Sequence, residues 1–134
     1  MSLIVDASVA LKWFAEEIGS DKADAVLASP EDLHAPDLLL AELGNALRKK
    51  VRSGVVKRQQ ALEALQNAPR YFVQLHPLPG LALRAAEIAL ELQHPIYDCF
   101  YLALAERERC AMVTADERLL RKAGTIKGIE VRQL

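Results

Sequence analysis

The chain has little of several things, and each shortage excludes a class. It holds only two cysteines, Cys99 and Cys110, too few for a disulfide framework and wrongly spaced for a zinc knuckle. That usage fits a reducing cytoplasm. No apolar run approaches the ~18 residues of a membrane span. The N-terminal stretch MSLIVDASVALKW has no basic leader region and carries Asp6 inside its apolar part, so it does not read as a signal peptide. There is no glycine-rich phosphate loop, no internal repeat and no linker. Only the composition of an ordinary globular protein is left, 51% hydrophobic and 26% charged over 134 residues, the length of one domain. A chain of this size buries roughly two-thirds of the surface it exposes when unfolded, so its core needs no staples.

The net charge of −1 conceals an asymmetry. Residues 1–42 hold nine acids and two bases, whereas residues 43–134 hold fifteen bases and nine acids. Six bases fall within eleven residues: Arg48, Lys49, Lys50, Arg52, Lys57 and Arg58. Such a cluster suits phosphate contact, although cations also complement the end of a helix.

Hydrophobic spacing predicts short strands alternating with helices. Strands are expected at 2–5, 33–35, 71–75, 111–114 and 129–132. Helices are expected over 9–18 with Gly19 as the stop, and over 21–28. A long one runs from Pro36 to about Arg52, and others cover 57–67, 81–93, 98–109 and 117–123. This alternation predicts an α/β fold whose central, mainly parallel sheet carries helices on both faces. In such folds ligands sit beyond the carboxyl ends of the strands, near the point where strand order reverses.

Four carboxylates draw notice. Asp6 and Asp116 follow predicted strands and, taken singly, fit helix caps. Thr114 and Glu117 also fit a capping box, which would leave Asp116 as a first-turn acid. Glu42 lies in LLLAELGNAL (38–47) and Asp98 in an apolar helix, neither with a lysine or arginine three or four residues away. An unpaired buried carboxylate is costly. If the fold gathers all four on one rim, their repulsion calls for a hard divalent cation, Mg²⁺ or Mn²⁺. Such a centre hydrolyses phosphodiesters. Asn45, one helical turn after Glu42, could orient it or a metal-bound water. Ser8 and Thr114 could do likewise, or bond their local backbone. His34, His76 and His94 show no metal-ligand spacing and read as structural or exposed. Both cysteines and the Trp13-Phe14 pair read as core.

Four segments together resemble a PIN-domain ribonuclease of the VapC toxin type. They are Ile4-Val5-Asp6-Ala7-Ser8, Ala41-Glu42-Leu43-Gly44-Asn45, Tyr97-Asp98, and Val113-Thr114-Ala115-Asp116-Glu117-Arg118-Leu119. The resemblance covers nearly the whole chain, in order. It implies a three-layer α/β/α sandwich in which Asp6, Glu42, Asp98 and Asp116 surround Mg²⁺ or Mn²⁺, supported by Ser8, Asn45 and Thr114. It also implies an endoribonuclease acting on single-stranded or structured RNA, often a tRNA or ribosomal RNA loop, a homodimer, and a VapB-type antitoxin as partner. Arg48, Lys49, Arg52, Arg118 and Arg121 are then candidates for RNA contact, since an acidic centre repels RNA and needs bases nearby.

Three rivals remain at this point. One keeps the fold but makes the chain a nucleic-acid-binding subunit that regulates its operon with its antitoxin and cleaves little. Another is an acid phosphatase using Asp6 as nucleophile, which would want a second Asp where Ser8 stands. The last is an interaction domain with well-capped helices, in which Arg84 neutralises Glu42.

Overall fold

The computed structural model describes residues 1–134. Five strands, β1 (Ser2–Val5), β2 (Asp32–Pro36), β3 (Gln74–His76), β4 (Ala111–Thr114) and β5 (Val131–Gln133), form one sheet in the order β3-β2-β1-β4-β5. Every pairing is parallel. Parallel strands need crossovers, and seven helices supply them: α1 (Ala7–Phe14), α2 (Ser20–Ala28), α3 (Leu38–Arg52), α4 (Arg58–Asn67), α5 (Ala82–Leu92), α6 (Ile96–Glu108) and α7 (Glu117–Ala123). The first two crossovers step outward from β1 towards β3, and the last two run from β3 to β5. Right-handed crossovers therefore put α1–α4 on one face and α5–α7 on the other, which is the expected three-layer sandwich. Strand order reverses between β1 and β4, and both strands end there in functional candidates.

Burial follows residue type. Leu3, Ile4 and Val5 of the central strand and Ala111 to Val113 of its neighbour are all buried, as a sheet covered on both faces requires. Helix α3 lays down Leu39, Leu43 and Leu47 at four-residue spacing, each at most 1% exposed. Its outer residues Ala41 and Asn45 are exposed, so the 38–47 segment is amphipathic and not buried throughout. Lys49, Lys50 and Arg52 fill its last turn, where cations suit the dipole. Helix α6 is buried on every side from Cys99 to Ala105, since it lies between α5 and the sheet. Trp13 and Phe14 are half-buried and pack against Tyr71, Trp13 edge-on and Phe14 with its ring tilted by 33°. No helix is long and apolar enough to cross a membrane.

Several expected boundaries shift for identifiable reasons. Pro36 ends β2 instead of opening α3: it pairs with His76 of β3 beyond the reach of β1, where its missing N–H costs no ladder bond. Tyr71 closes a 3-10 turn (Ala68–Tyr71) started by Pro69, so β3 begins only at Gln74. Helix α1 stops at Phe14, and Gly19, in the left-handed region at φ 92°, caps α2 instead. Gly128, at φ 86°, turns the chain into β5, which runs two residues later than expected at its start. Pro95 opens α6 two residues before Asp98 was expected to.

Candidate active site

Asp6 ends up buried at the carboxyl end of β1, 4% exposed. It caps α1 by accepting the Val9 amide on Oδ1 at 3.1 Å. The same oxygen accepts the Ser8 hydroxyl at 2.5 Å, and Oδ2 accepts the Thr114 hydroxyl from the end of β4. Both hydroxyls are themselves acceptors. Ser8 Oγ takes the Ala115 amide at 3.1 Å and Thr114 Oγ1 takes the Asp116 amide at 3.0 Å. With their lone pairs engaged by backbone N–H groups, their protons point to Asp6. Local backbone bonding and support of the carboxylate are thus the same arrangement. Burial nevertheless pushes the Asp6 carboxyl up to about 6; these three hydrogen bonds pull against it, and the charge of Asp98 adds to the rise.

Glu42 projects from the middle of α3 and is half-buried. Its partner is the Tyr101 hydroxyl of α6, which donates to Oε1 at 2.7 Å. Burial raises the Glu42 carboxyl, the Tyr101 bond lowers it, and the charges of Asp98 and Asp6 raise it further. Tyr101, fully buried, is itself pushed well above the ordinary phenol range, first by burial and then by Glu42. Asp98 stands in the first turn of α6 and receives His94 Nε2 on Oδ2 at 2.6 Å. Asp6, Glu42 and Asp98 are thus within electrostatic range of one another, and none pairs with a lysine or arginine.

Asp116 is placed differently. Its Oδ1 accepts the amides of Arg118 at 2.9 Å and Leu119 at 3.2 Å, which makes it the cap of α7. The capping box expected from Thr114 does not form, because the Thr114 hydroxyl is turned to Asp6. Asp116 joins the cluster through its backbone N–H on Thr114, while its side chain hydrogen-bonds only to amides of α7.

Asn45 is not the partner of Glu42: its Oδ1 accepts Arg48 Nε at 3.1 Å. Arg84, the other suggested partner, is bound to Glu106 at 2.8 Å. A cleft of about 620 Å³ runs from Glu42 along α3 past Asn45 to Lys49, Lys50 and Ser53. Lys50 is held by Glu17 at 2.9 Å, which also holds Lys12 at 3.0 Å. Lys49 makes no ion pair. Arg48 and Arg52 lie round the helix in a separate groove against α4. Arg118 and Arg121 are exposed on α7, beyond Asp116. Cys99 is buried, with its thiol pushed up to about 11 by burial, so it is an inert core group.

Two participants escaped the sequence reading, His94 and Tyr101. Both were visible there as neighbours of Asp98 at one-turn spacing, four before and three after, the positions that share a helical face. No three Asp, Glu, His or Cys side chains stand in ready-made metal-ligand geometry. The donor set does fit a hard divalent ion: oxygens only, partly desolvated, mutually repelling and not ion-paired with any lysine or arginine.

Comparison with known proteins agrees with this geometry. The model of the family described as PIN domain matches residues 3–125. The chain is 38% identical to VapC ribonuclease Mb0985 of Mycobacterium bovis over 117 residues, covering 87% of each chain. It is 30% identical to Ribonuclease VapC3 of Pyrobaculum aerophilum over 124 residues, 91% of this chain and 95% of the relative. A crystal structure of a Pyrobaculum aerophilum protein superposes with a TM-score of 0.73 at 28% identity, over 98% of this chain and 83% of that one. The crystal structure of VapBC2 from Rickettsia felis bound to a promoter DNA fragment shares the fold, with a TM-score of 0.72 at 14% identity over 100% and 99% of the two chains. The chain belongs to the PIN-domain family, within its VapC branch.

Proposed function

We propose that this protein is a divalent-metal-dependent endoribonuclease, the toxin of a toxin–antitoxin pair, which hydrolyses RNA phosphodiester bonds with water as the nucleophile. The observation that carries this reading is the convergence of Asp6, Glu42 and Asp98. They come from three distant segments, and each is hydrogen-bonded only to uncharged donors or to an imidazole. Acids placed for stability alone would face arginine or lysine, as Glu106 faces Arg84.

Asp6, Glu42 and Asp98 would hold the ion, Mg²⁺ or Mn²⁺, with Asp116 at the edge of the group. When bound, the ion neutralises the acids, withdraws charge from the scissile phosphate and activates water. This chain's residues do the rest. Ser8, Thr114 and the Val9 amide fix both oxygens of Asp6, and Tyr101 fixes one of Glu42. The buried floor keeps bulk water from the inner side. Lys49 lies in the cleft that begins at Glu42 and would hold an RNA phosphate next to the one attacked, with Arg118 and Arg121 on the opposite rim. Arg48 and Arg52 line the separate groove against α4, off the path from Glu42 to Lys49. A VapB-type antitoxin and a second copy of the chain are the partners that family membership implies, in the cytoplasm.

The test is cleavage of a mixed RNA pool by antitoxin-free protein with Mn²⁺ or EDTA, wild type beside Asp98→Asn. Cleavage by wild type alone, abolished by EDTA, is the expected result. Equal cleavage by the variant places the chemistry elsewhere. No cleavage, together with no effect of Mn²⁺ on the melting temperature, removes the ribonuclease reading.

A further inference from the structure

His94 is buried in the turn between α5 and α6, and nothing about its chain position requires an imidazole there. Its side chain is 4% exposed, and its Nδ1 is buried with no hydrogen-bond partner. An aliphatic residue would fill the space without burying an unsatisfied nitrogen. The contact an imidazole adds is the one between Nε2 and Asp98 Oδ2, at 2.6 Å. A carboxylate oxygen only accepts, so Nε2 carries the proton and donates it.

The backbone is built to aim this ring. Gln93 takes the left-handed conformation at φ 51°, ending α5, and the His94 amide returns to Ala89 O at 3.1 Å. Pro95 then starts α6, so His94 lies one turn before Asp98. Lys122 Nζ clamps the same turn from α7 through Gln93 O at 3.1 Å. Asp98 and Tyr101 share one face of α6 at a spacing of three, and His94, in the turn before the helix, meets Asp98 from that end. Tyr101 holds Glu42 in the way His94 holds Asp98, so one edge of this segment carries a donor for each of two acids.

We propose that His94 is a positioning residue for the metal centre: its Nε2–H pins Asp98 Oδ2 and leaves Oδ1, which has no hydrogen-bond partner, as the oxygen free for the cation. This rests on the metal-dependent reading above. An imidazole behind a ligating carboxylate fixes its rotamer and orientation, and loss of such a support weakens metal affinity by about 10- to 100-fold. A purely structural role, tying the turn to α6, would leave metal affinity unchanged.

The experiment measures Mn²⁺ affinity by electron paramagnetic resonance on the full chain, for wild type, His94→Leu and His94→Gln, with the metal-free melting temperature of each. Leucine keeps the volume and removes the donor; glutamine keeps an N–H at similar reach. The expected result is a 10- to 100-fold weaker Mn²⁺ affinity in His94→Leu, with most of it recovered in His94→Gln. The order of affinities should not follow the order of melting temperatures. Unchanged affinity in His94→Leu, or equal loss in both variants, overturns the assignment. Should His94→Leu not fold, the wild-type Nε2–H proton resonance decides. It shifts on Mg²⁺ addition if His94 supports the centre, and stays fixed if it does not. Wild type that binds no Mn²⁺ removes the metal reading itself, a result distinct from either of these.

Discussion

Tyr101 donates its phenolic proton to Glu42 across 59 positions of sequence, and at 2.7 Å this bond joins the two helical layers through the site. Tyr101→Phe removes one atom and leaves the Glu42 carboxylate short of a donor in a half-buried place. We expect a loss of about 1–3 kcal/mol of stability at neutral pH, measured by urea unfolding without metal. Mn²⁺ affinity should fall by about 10-fold or more. A variant as stable and as tight as wild type would show that Glu42 finds its support elsewhere.

The Asp6 carboxyl, held at about 6 in the fold against an ordinary 3.8, makes the metal-free protein sensitive to pH. Between those values the folded chain keeps a proton that the unfolded chain has released. Stability therefore falls as pH rises through that window, by up to about 3 kcal/mol. His76 acts in the opposite sense: burial lowers its pKa, so acid favours the unfolded chain. Asp6→Asn removes the first effect and leaves the second. The stability advantage of Asp6→Asn over wild type should therefore be largest above about pH 7 and shrink as pH approaches 4. A constant difference by thermal unfolding in EDTA would contradict the buried charge.

The two neighbouring lysines of α3 should behave differently. Lys49 lines the cleft from Glu42 without an ion-pair partner, whereas Lys50 is neutralised by Glu17. In RNA binding by catalytically silent Asp98→Asn protein, Lys49→Ala should weaken affinity and reduce the salt slope by about one phosphate contact. Lys50→Ala should change both less. The reverse order would mean that RNA displaces Glu17 from Lys50 and uses that lysine instead.

Leu104 is fully buried between α5 and the sheet, with no polar role. Leu104→Ala should cost about 2–5 kcal/mol while leaving the Mn²⁺ affinity of the folded fraction close to wild type. A matching loss of affinity would mean that α6 presents its face to the acids only when fully packed.

The sandwich was legible because long periodic helices and short apolar strands leave few other solutions. Boundaries failed where one residue suits two roles. Pro36 fits a helix start as well as an edge-paired strand end, and Gly19 fits a helix stop as well as a cap. Asp6 could be suspected from its place after a strand. Its partner Thr114 is 108 residues away, so only tertiary structure brings the two together. Asn45 bonds Arg48 instead of Glu42, since Arg48, one turn on, offers a charged donor that local spacing ranks equally. His94 and Tyr101 were passed over for the opposite reason. Charge pairing was sought around Asp98 and Glu42, and the site uses neutral or titratable donors instead.

The insertion of β4 beside β1 has a consequence for the timing of synthesis. Asp6 leaves the ribosome more than a hundred residues before the strand that covers it and the hydroxyl that binds its Oδ2. Until then the acid stays hydrated, and neither Tyr101 nor His94 has a folded α6 from which to reach its partner. A nascent or prematurely terminated chain lacking β4 therefore carries no assembled cluster. Topology alone thus defers assembly of the acidic cluster until β4 has been made and has paired with β1.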